Sequence, residues 1–314
     1  MYTFSEIFPN DDRATTDEVV CINRGEGPSV VLTGGIHGDE YEAQLVLRRL
    51  ARVLEAKDVL GRVIIIPSLN YPAAHAGKRV SVEDGQNMNR EFPGDPSGTI
   101  TQRLSAFLTE QIFPVCTFLI DVHAGGAGCT VLPMIFGFTS PECGMSDAEL
   151  NRVMEAWGYR YVQHVTPVAS TSCGVALAAG IASVEIEGGG GSRLLGTEVE
   201  TMYQNLLRGM AAYGVLTSPM AAATSVDIGP CIHFDAGPEN QWLAPRAGLV
   251  EHAVELHDFV EQGQVVAHLH AVDGSYPTEA IQSPMTGYIV RLTSKVFVRK
   301  GELIGNNGTP RQRA

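Results

Sequence analysis

Three short, largely apolar segments constrain the fold of this chain more than any other sequence feature. They occupy residues 29–33, 63–67 and 116–121, and each is rich in large apolar side chains. A strand that is apolar on both faces is typical of the centre of a parallel sheet, where helices cover both sides. Because amphipathic stretches separate these strands, we predict an α/β fold with a mainly parallel, mixed sheet wrapped by helices.

The predicted helices follow from the spacing of apolar residues along the chain. The helix after residue 40 is expected to bury Leu45, Leu50, Val53 and Leu54. Its exposed face is expected to hold Glu42, Arg48, Arg49, Arg52 and Glu55. Ser146 and Thr197 each begin a Ser/Thr-x-x-Glu pattern, which predicts that two later helices start there. The second of these is expected to end at Gly214.

The chain is expected to divide into two parts. Its 314 residues suffice for one large domain and a smaller one. Residues 217–225 are rich in Ala, Ser and Thr and resemble a linker, and short alternating strands follow them. We therefore predict a large domain at residues 1–216, and a linker with a small all-β domain of barrel or sandwich type at residues 217–314.

Charge and composition disfavour several classes of function. The formal net charge of −13 argues against binding to nucleic acid or to an anionic membrane surface. No apolar run is long enough for a transmembrane helix, and the first residues lack the features of a signal peptide. The six cysteines are scattered without a CxxC pair, so neither a disulfide framework nor a cysteine-rich zinc knuckle is expected. We expect a cytoplasmic protein.

Potential metal ligands lie at the ends of two predicted strands. His37 and Glu40 are three residues apart in a glycine-rich turn, and His123 follows a second buried strand. Such strand ends meet at the ligand-binding edge of an open α/β sheet, and three His or Glu ligands are typical of catalytic zinc. Alternatively, Glu40 merely favours a helix N-terminus, and His123 is a core histidine beside Asp121. In a metal site, Asp121 would instead orient the His123 imidazole.

A long loop carries positive charge between these candidate ligands. Residues 70–98 are rich in Gly, Asn and Pro, and a loop of this length inside a compact domain is usually functional. It contains Arg79 and the pair Asn89 and Arg90. An arginine can bind a carboxylate through two hydrogen bonds or polarise a carbonyl, although two solvated loop arginines are the alternative.

The strand predicted at residues 182–187 supplies a candidate general base. Glu185 and Glu187 are two residues apart, so both point to the same face of the strand. Zinc-assisted hydrolysis of an amide needs a group that takes a proton from water and returns it to the leaving nitrogen. One carboxylate can do both, and the spacing does not distinguish the two glutamates.

Taken together, these motifs resemble the succinylglutamate desuccinylase/aspartoacylase family of the zinc carboxypeptidase-like superfamily. The resemblance covers most of residues 25–215 and is closest to the N-acetyl-diaminobutyrate deacetylase branch. The matching stretches are residues 33–42, 70–73, 76–79 and 87–94, and the four glycines from Gly188. The chain departs from the closest branch at Glu187, which is followed by Gly188 rather than by an apolar residue.

The resemblance implies a role for each candidate residue. One Zn²⁺ per chain would be bound by His37, Glu40 and His123. Arg79 would polarise the scissile carbonyl, whereas Asn89 and Arg90 would hold the α-carboxylate of the substrate. A gapless match through the glycines favours Glu187 as the general base. The apolar-Glu-apolar pattern of the superfamily favours Glu185.

The function implied is zinc-dependent hydrolysis of the amide bond of an N-acylated amino acid, with N-acetyl-diaminobutyrate suggested by the closest branch. A metallocarboxypeptidase-type peptidase and a non-catalytic small-molecule binding module are the alternatives. Residues 260–266 and 283–287 resemble the hammerhead folds of biotinyl and lipoyl carriers. Those carriers need a lysine where this chain has Met285 and Thr286, so the β domain is expected to shape the active-site entrance or a homo-oligomer contact.

Overall fold

Strands alternate with helices through the first two thirds of the chain, and strands predominate after residue 229. The structure, a computed structural model, describes residues 2–3, 18–217 and 229–311, so nearly all of the predicted linker lies outside the described residues. The strands are β1 (Tyr2–Thr3), β2 (Glu18–Asn23), β3 (Ser29–Gly34), β4 (Arg62–Ile66), β5 (Phe118–Val122), β6 (Cys129–Phe138), β7 (Tyr161–His164), β8 (Ala182–Gly190), β9 (Ile232–Asp235), β10 (Gln241–Leu243), β11 (Gly248–His252), β12 (Phe259–Val260), β13 (Val265–His270), β14 (Glu279–Gln282), β15 (Gly287–Thr293), β16 (Phe297–Val298) and β17 (Leu303–Pro310). The helices are α1 (Tyr41–Val53), α2 (Tyr71–His75), α3 (Ile100–Phe107), α4 (Asp147–Glu155), α5 (Ser172–Ala178) and α6 (Gly196–Tyr213). Short 3-10 or π-helical turns occupy Ala56–Asp58, Met88–Arg90, Leu108–Ile112, Phe113–Val115, Pro141–Cys143 and Pro238–Asn240.

The centre of the main sheet consists of the four parallel strands β4, β3, β5 and β8, in that order. Val30, Val31 and Leu32 of β3 are fully buried, as expected for a strand covered on both faces. The predicted α/β class, with a mixed sheet wrapped by helices, is confirmed. Parallel pairing brings the ends of β3, β5 and β8 to one edge, where the candidate site lies.

Strand β6 extends the sheet beside β8 and was not predicted from the sequence. It runs antiparallel to β8, and the register shifts between Val131 and Met134. Pro133 lies within this irregularity, where its missing N–H does not break a regular ladder. Pro133 and Gly137 weaken the strand pattern in the sequence, which explains why the sequence analysis missed this element.

The buried face of helix α1 differs in part from the predicted one. Leu45 and Val53 are 42% and 49% exposed, whereas Glu42 is 2% exposed. The Glu42 Oε1 accepts a hydrogen bond of 2.9 Å from the Gly190 backbone N–H, which compensates the carboxylate for the loss of water. The prediction that Leu45 and Val53 face the core was therefore wrong, while Leu50 and Leu54 are buried as predicted.

One of the two predicted capping boxes forms. The Ser146 hydroxyl oxygen accepts a hydrogen bond from the Glu149 backbone N–H, and the Glu149 carboxylate accepts one from the Ser146 backbone N–H. The box predicted at Thr197 was wrong, because the N-cap of α6 is Leu195, two residues earlier, and Leu195 makes no side-chain cap. The helix ends at Gly214, with φ of +85°, as predicted.

The C-terminal strands form a β structure that joins the main sheet. Of the strands described, β14, β13, β11 and β16 form a separate four-stranded sheet, and its residues share a hydrophobic core with Trp242, Ile289 and Ile304. The small C-terminal all-β region of the predicted fold is confirmed. Strand β15 pairs antiparallel with β6, with Arg291 opposite Val131, so this region reaches the candidate site. The division at residues 216 and 217 stays a prediction.

Among the helices described, none has the length and apolar composition needed to cross a membrane.

Candidate active site

The turn between β3 and α1 fixes the first two candidate ligands. Gly35 has φ of +65°, and a Cβ atom at Gly38 would lie 2.2 Å from the Ala73 carbonyl carbon. Gly38 thus allows the turn to pack directly against α2, whereas Gly35 allows it to approach Ser68 and Gln44. His37 lies in the turn and Glu40 immediately precedes α1, and both side chains are almost fully buried.

Glu40 lies between the two candidate histidine ligands. Its Oε1 is 2.8 Å from His37 Nδ1, and its Oε2 is 2.8 Å from His123 Nδ1. His123 directly follows β5, the parallel neighbour of β3. Potential ligand atoms of all three residues lie within 4.8 Å of one another. The structure therefore brings together the three residues that the sequence identified.

The other ring nitrogens of the two histidines face oxygen atoms outside this cluster. His37 Nε2 is 3.0 Å from Asn87 Oδ1, and His123 Nε2 is 3.2 Å from Asp121 Oδ2. Asp121 is itself held by hydroxyl hydrogen bonds from Thr33, at 2.8 Å, and from Ser172. A proton on each Nε2 leaves the Nδ1 lone pairs directed at the centre of the cluster. This set of two imidazoles and one carboxylate fits Zn²⁺ with a fourth position left for water.

Electrostatics keeps the central carboxylate ionised. Burial alone would raise the pKa of Glu40, but the adjacent imidazoles of His37 and His123 hold it well below its usual value. Burial lowers the pKa of His37, which favours the neutral imidazole that a metal requires. Burial also disfavours a charged His123, but Asp121 and Glu40 together raise its pKa well above the usual value. The two carboxylates thus create a position that favours a cation.

The predicted loop residues border the same site. Arg79 donates a hydrogen bond of 2.9 Å to Glu40 Oε1, and half of its side chain is exposed. The buried Asn89 accepts a hydrogen bond of 3.2 Å from the Ser172 backbone N–H, and Arg90 donates to the Asn89 carbonyl. Arg79, Asn89 and Arg90 line a cavity of about 260 Å³, together with His37 and His123.

Glu185 and Glu187 both line this cavity from strand β8. Burial raises the pKa of Glu185 to about 7 and that of Glu187 to about 8, and the nearby Glu40 contributes to both increases. Glu185 lies close to Asp121 and His123, whereas Glu187 Oε1 is 3.7 Å from Arg291 Nη2. The structure brings both glutamates to the site, and the choice between them stays a prediction.

Arg291 of β15 is a site residue that the sequence analysis missed. It lines the cavity beside Glu187. Burial alone would lower the pKa of Arg291, but the Glu187 carboxylate and other nearby acidic groups raise it by more. The sequence offers one indication of such a role, because Arg291 is the single charged residue in the otherwise apolar stretch at residues 288–292. Its location became evident only from the pairing of β15 with β6.

Comparisons with known proteins identify relatives over most of the chain. Residues 26–213 match the model of the succinylglutamate desuccinylase/aspartoacylase catalytic domain. The N-alpha-acetyl-L-2,4-diaminobutyric acid deacetylase of Halomonas elongata is 34% identical over 259 residues, which cover 80% of this chain and 73% of that protein.

Solved structures with a similar fold cover nearly the whole chain. A succinylglutamate desuccinylase/aspartoacylase from Rhodobacter sphaeroides gives a TM-score of 0.85 at 28% identity, over 94% of this chain and 89% of that chain. The product-bound ectoine utilization protein EutE (DoeB) from Ruegeria pomeroyi gives a TM-score of 0.84 at 26% identity, over 93% and 88% of the two chains.

Proposed function

The chain belongs to the succinylglutamate desuccinylase/aspartoacylase family, and on that premise we propose that it is a zinc-dependent deacylase of N-acylated amino acids. The observation that carries the proposal is the cluster of His37, Glu40 and His123, whose two histidines line a cavity together with Arg79 and Glu187. The site therefore combines a metal-binding set with a cationic group and a carboxylate, as amide hydrolysis requires.

His37, Glu40 and His123 would hold the metal ion through two Nδ1 atoms and the carboxylate. When bound there, Zn²⁺ supplies Lewis-acid chemistry that polarises a carbonyl and makes a water molecule more acidic. Asn87 and Asp121 would keep the two imidazoles in the required tautomer and orientation.

Glu187 is the proposed general base and acid. It would take a proton from the attacking water and return it to the leaving nitrogen, so that the amine product departs. Burial raises the pKa of Glu187 in the metal-free protein, and a raised pKa makes a carboxylate a stronger proton acceptor. The gapless family match also favours Glu187 over Glu185, whose raised pKa of about 7 keeps it as the alternative.

The remaining polar groups would orient the substrate. Arg79 would donate a hydrogen bond to the carbonyl oxygen as negative charge develops on it. Asn89 and Arg90, which line the same cavity, would hold the α-carboxylate. Arginine suits such a role because its guanidinium can make two hydrogen bonds to one carboxylate.

N-acetyl-diaminobutyrate is the first substrate to test, because the Halomonas elongata relative is a deacetylase of this compound. Purified protein should be supplied with Zn²⁺ and assayed for free amine against N-acetyl and N-succinyl amino acids, with short peptides in parallel. Hydrolysis of an N-acyl amino acid supports the proposal. Preferred trimming of peptides would indicate a metallocarboxypeptidase, and a protein that binds these compounds without any turnover would be a binding module.

The identity of the general base can be tested by matched variants. Glu187→Gln is expected to lower kcat by about 10²- to 10⁴-fold, the usual contribution of general acid–base catalysis. Zinc content should stay at one ion per chain, since Glu187 is not among the proposed ligands. If Glu187→Gln retains full activity and Glu185→Gln loses it, the assignment is reversed. A cytoplasmic location and a homo-oligomeric state stay predictions.

A further inference from the structure

Arg291 connects the C-terminal strands to the reaction site. The Arg291 guanidinium lies among acidic groups, and Glu187 contributes most to raising the pKa of Arg291. Glu187 Oε1 is 3.7 Å from Arg291 Nη2. This distance exceeds that of a hydrogen bond, so the pair leaves donors of the guanidinium available. Arg291 Nε is buried and, within the described structure, makes no hydrogen bond to the protein.

A second cavity adjoins the first at Arg291. Its volume is about 250 Å³, and it shares Arg79, Glu187 and Arg291 with the first cavity. Of the residues described, Asn89 and Arg90 line only the first cavity, whereas Lys295 and Thr293 line only the second. The three shared side chains thus mark the boundary between two compartments, and the scissile bond would lie at this boundary.

Two polar atoms beside the cavities are buried. In the described part of the chain, Arg291 Nε and Glu187 Oε2 both lack a hydrogen-bond partner. Because both atoms lie below the solvent-accessible surface, a ligand would contact the exposed part of the Arg291 side chain, which is 33% accessible and lines both cavities. A carboxyl or carbonyl oxygen can accept from Arg291, and a water or amine can donate to Glu187.

We propose that Arg291 is a substrate-contacting residue that binds the carboxylate of the released acyl group, at the boundary with the compartment that Asn89 and Arg90 do not line. This inference rests on the proposed deacylase function. In that reaction the amide C–N bond breaks, and the oxygen of water becomes bonded to the carbonyl carbon. The protons pass to the departing nitrogen, which leaves an anionic carboxylate at the compartment boundary and an amine in the first compartment. Of the described residues, Arg79 and Arg291 are the cationic side chains that line both cavities, and they would face this new carboxylate.

The test measures binding of the two products separately. Zinc-loaded wild-type protein and the Arg291→Met and Arg291→Lys variants are titrated with acetate, with succinate and with 2,4-diaminobutyrate, by ligand-observed NMR. The matched control is Arg246→Met, which removes an arginine of the same β region whose Nε is 2.9 Å from Glu279 on the surface. Circular dichroism and melting temperatures establish that each variant is folded.

Arg291→Met is expected to weaken binding of the acyl acid by about tenfold or more, the usual effect of losing a charge-assisted hydrogen bond. Arg291→Lys should recover part of this loss, because lysine restores the charge but not the planar fork. Diaminobutyrate binding and the Arg246→Met control should stay within about twofold of wild type.

Several results would overturn the inference. These are unchanged acid binding in both Arg291 variants, equal loss of acid and diaminobutyrate binding, or no binding of acetate or succinate by wild type. Failure of the proposed function appears differently, as the absence of turnover with every N-acyl amino acid. Arg291-dependent binding of the acids remains measurable in that case, so the two failures are distinguishable.

Discussion

Replacing Glu187 by Gln should stabilise the metal-free protein at neutral and alkaline pH. Burial, together with the Glu40 carboxylate, raises the pKa of Glu187 to about 8 from its usual 4.5. Between these two pH values the folded protein holds a proton that the unfolded chain has released, so stability falls as pH rises through this window. The full difference is on the order of 5 kcal/mol above pH 8, since each pKa unit corresponds to about 1.4 kcal/mol.

Urea unfolding of chelator-treated protein between about pH 5 and pH 9 measures this effect. The stability gained by Glu187→Gln over wild type should grow with pH by up to about 1.4 kcal/mol per unit and level off near pH 8. Glu185→Gln should show a smaller gain that levels off near pH 7, because the pKa of Glu185 is raised to about 7. Glu83→Gln is the control, since this side chain is exposed.

A stability difference between Glu187→Gln and wild type that stays constant across this pH range would refute the reasoning. It would mean that Glu187 is as well solvated in the folded protein as in the unfolded chain. A variant that is less stable than wild type at pH 8 would refute it equally. In that case the ionised carboxylate would contribute favourable interactions, with Arg291 above all, that exceed the cost of burial.

Three further predictions concern the turn and a helix start. Asn87→Ala should weaken Zn²⁺ binding by about 10- to 100-fold in a chelator competition assay, because His37 Nε2 loses its 3.0 Å partner; unchanged affinity would contradict this. Gly38→Ala should destabilise the protein by about 1–3 kcal/mol or more in urea unfolding, since the new Cβ would lie 2.2 Å from the Ala73 backbone; a neutral result would mean that α2 shifts freely. Ser146→Ala should lower the free energy of unfolding by about 1 kcal/mol through loss of the N-cap, with Ser97→Ala on an exposed loop as the control.

The clustering of His37, Glu40 and His123, the proposed metal ligands, could be predicted because it is local or follows from strand polarity. His37 and Glu40 are separated by less than one turn, so the spacing alone brings them together. His123 follows a parallel strand, and parallel strands end at the same edge of a sheet. Glu185 and Glu187 are two residues apart on one strand, so both side chains point to the same face. Because both reach the same face, their spacing could not show which of them is the general base.

The features that sequence analysis missed depend on contacts between distant segments. Glu42 was assigned to the exposed face of α1, yet the Gly190 N–H, 148 residues away, supplies the hydrogen bond that allows its burial. Strand β6 was hidden by Pro133, which is accommodated at a register shift. Arg291 reaches the site only because β15 pairs with β6, and no periodicity within either segment reveals that pairing.

The pairing of β15 with β6 has a consequence for how such enzymes can diversify. The proposed metal ligands all lie between residues 37 and 123, whereas Arg291 enters the cavity from a segment near the C-terminus. Exchange of the C-terminal segment between relatives would therefore alter the side chain at the boundary of the two compartments and leave the proposed metal ligands untouched. Acyl-group selectivity could then evolve, or be engineered, by recombination at the end of the chain, while the hydrolytic centre stays the same.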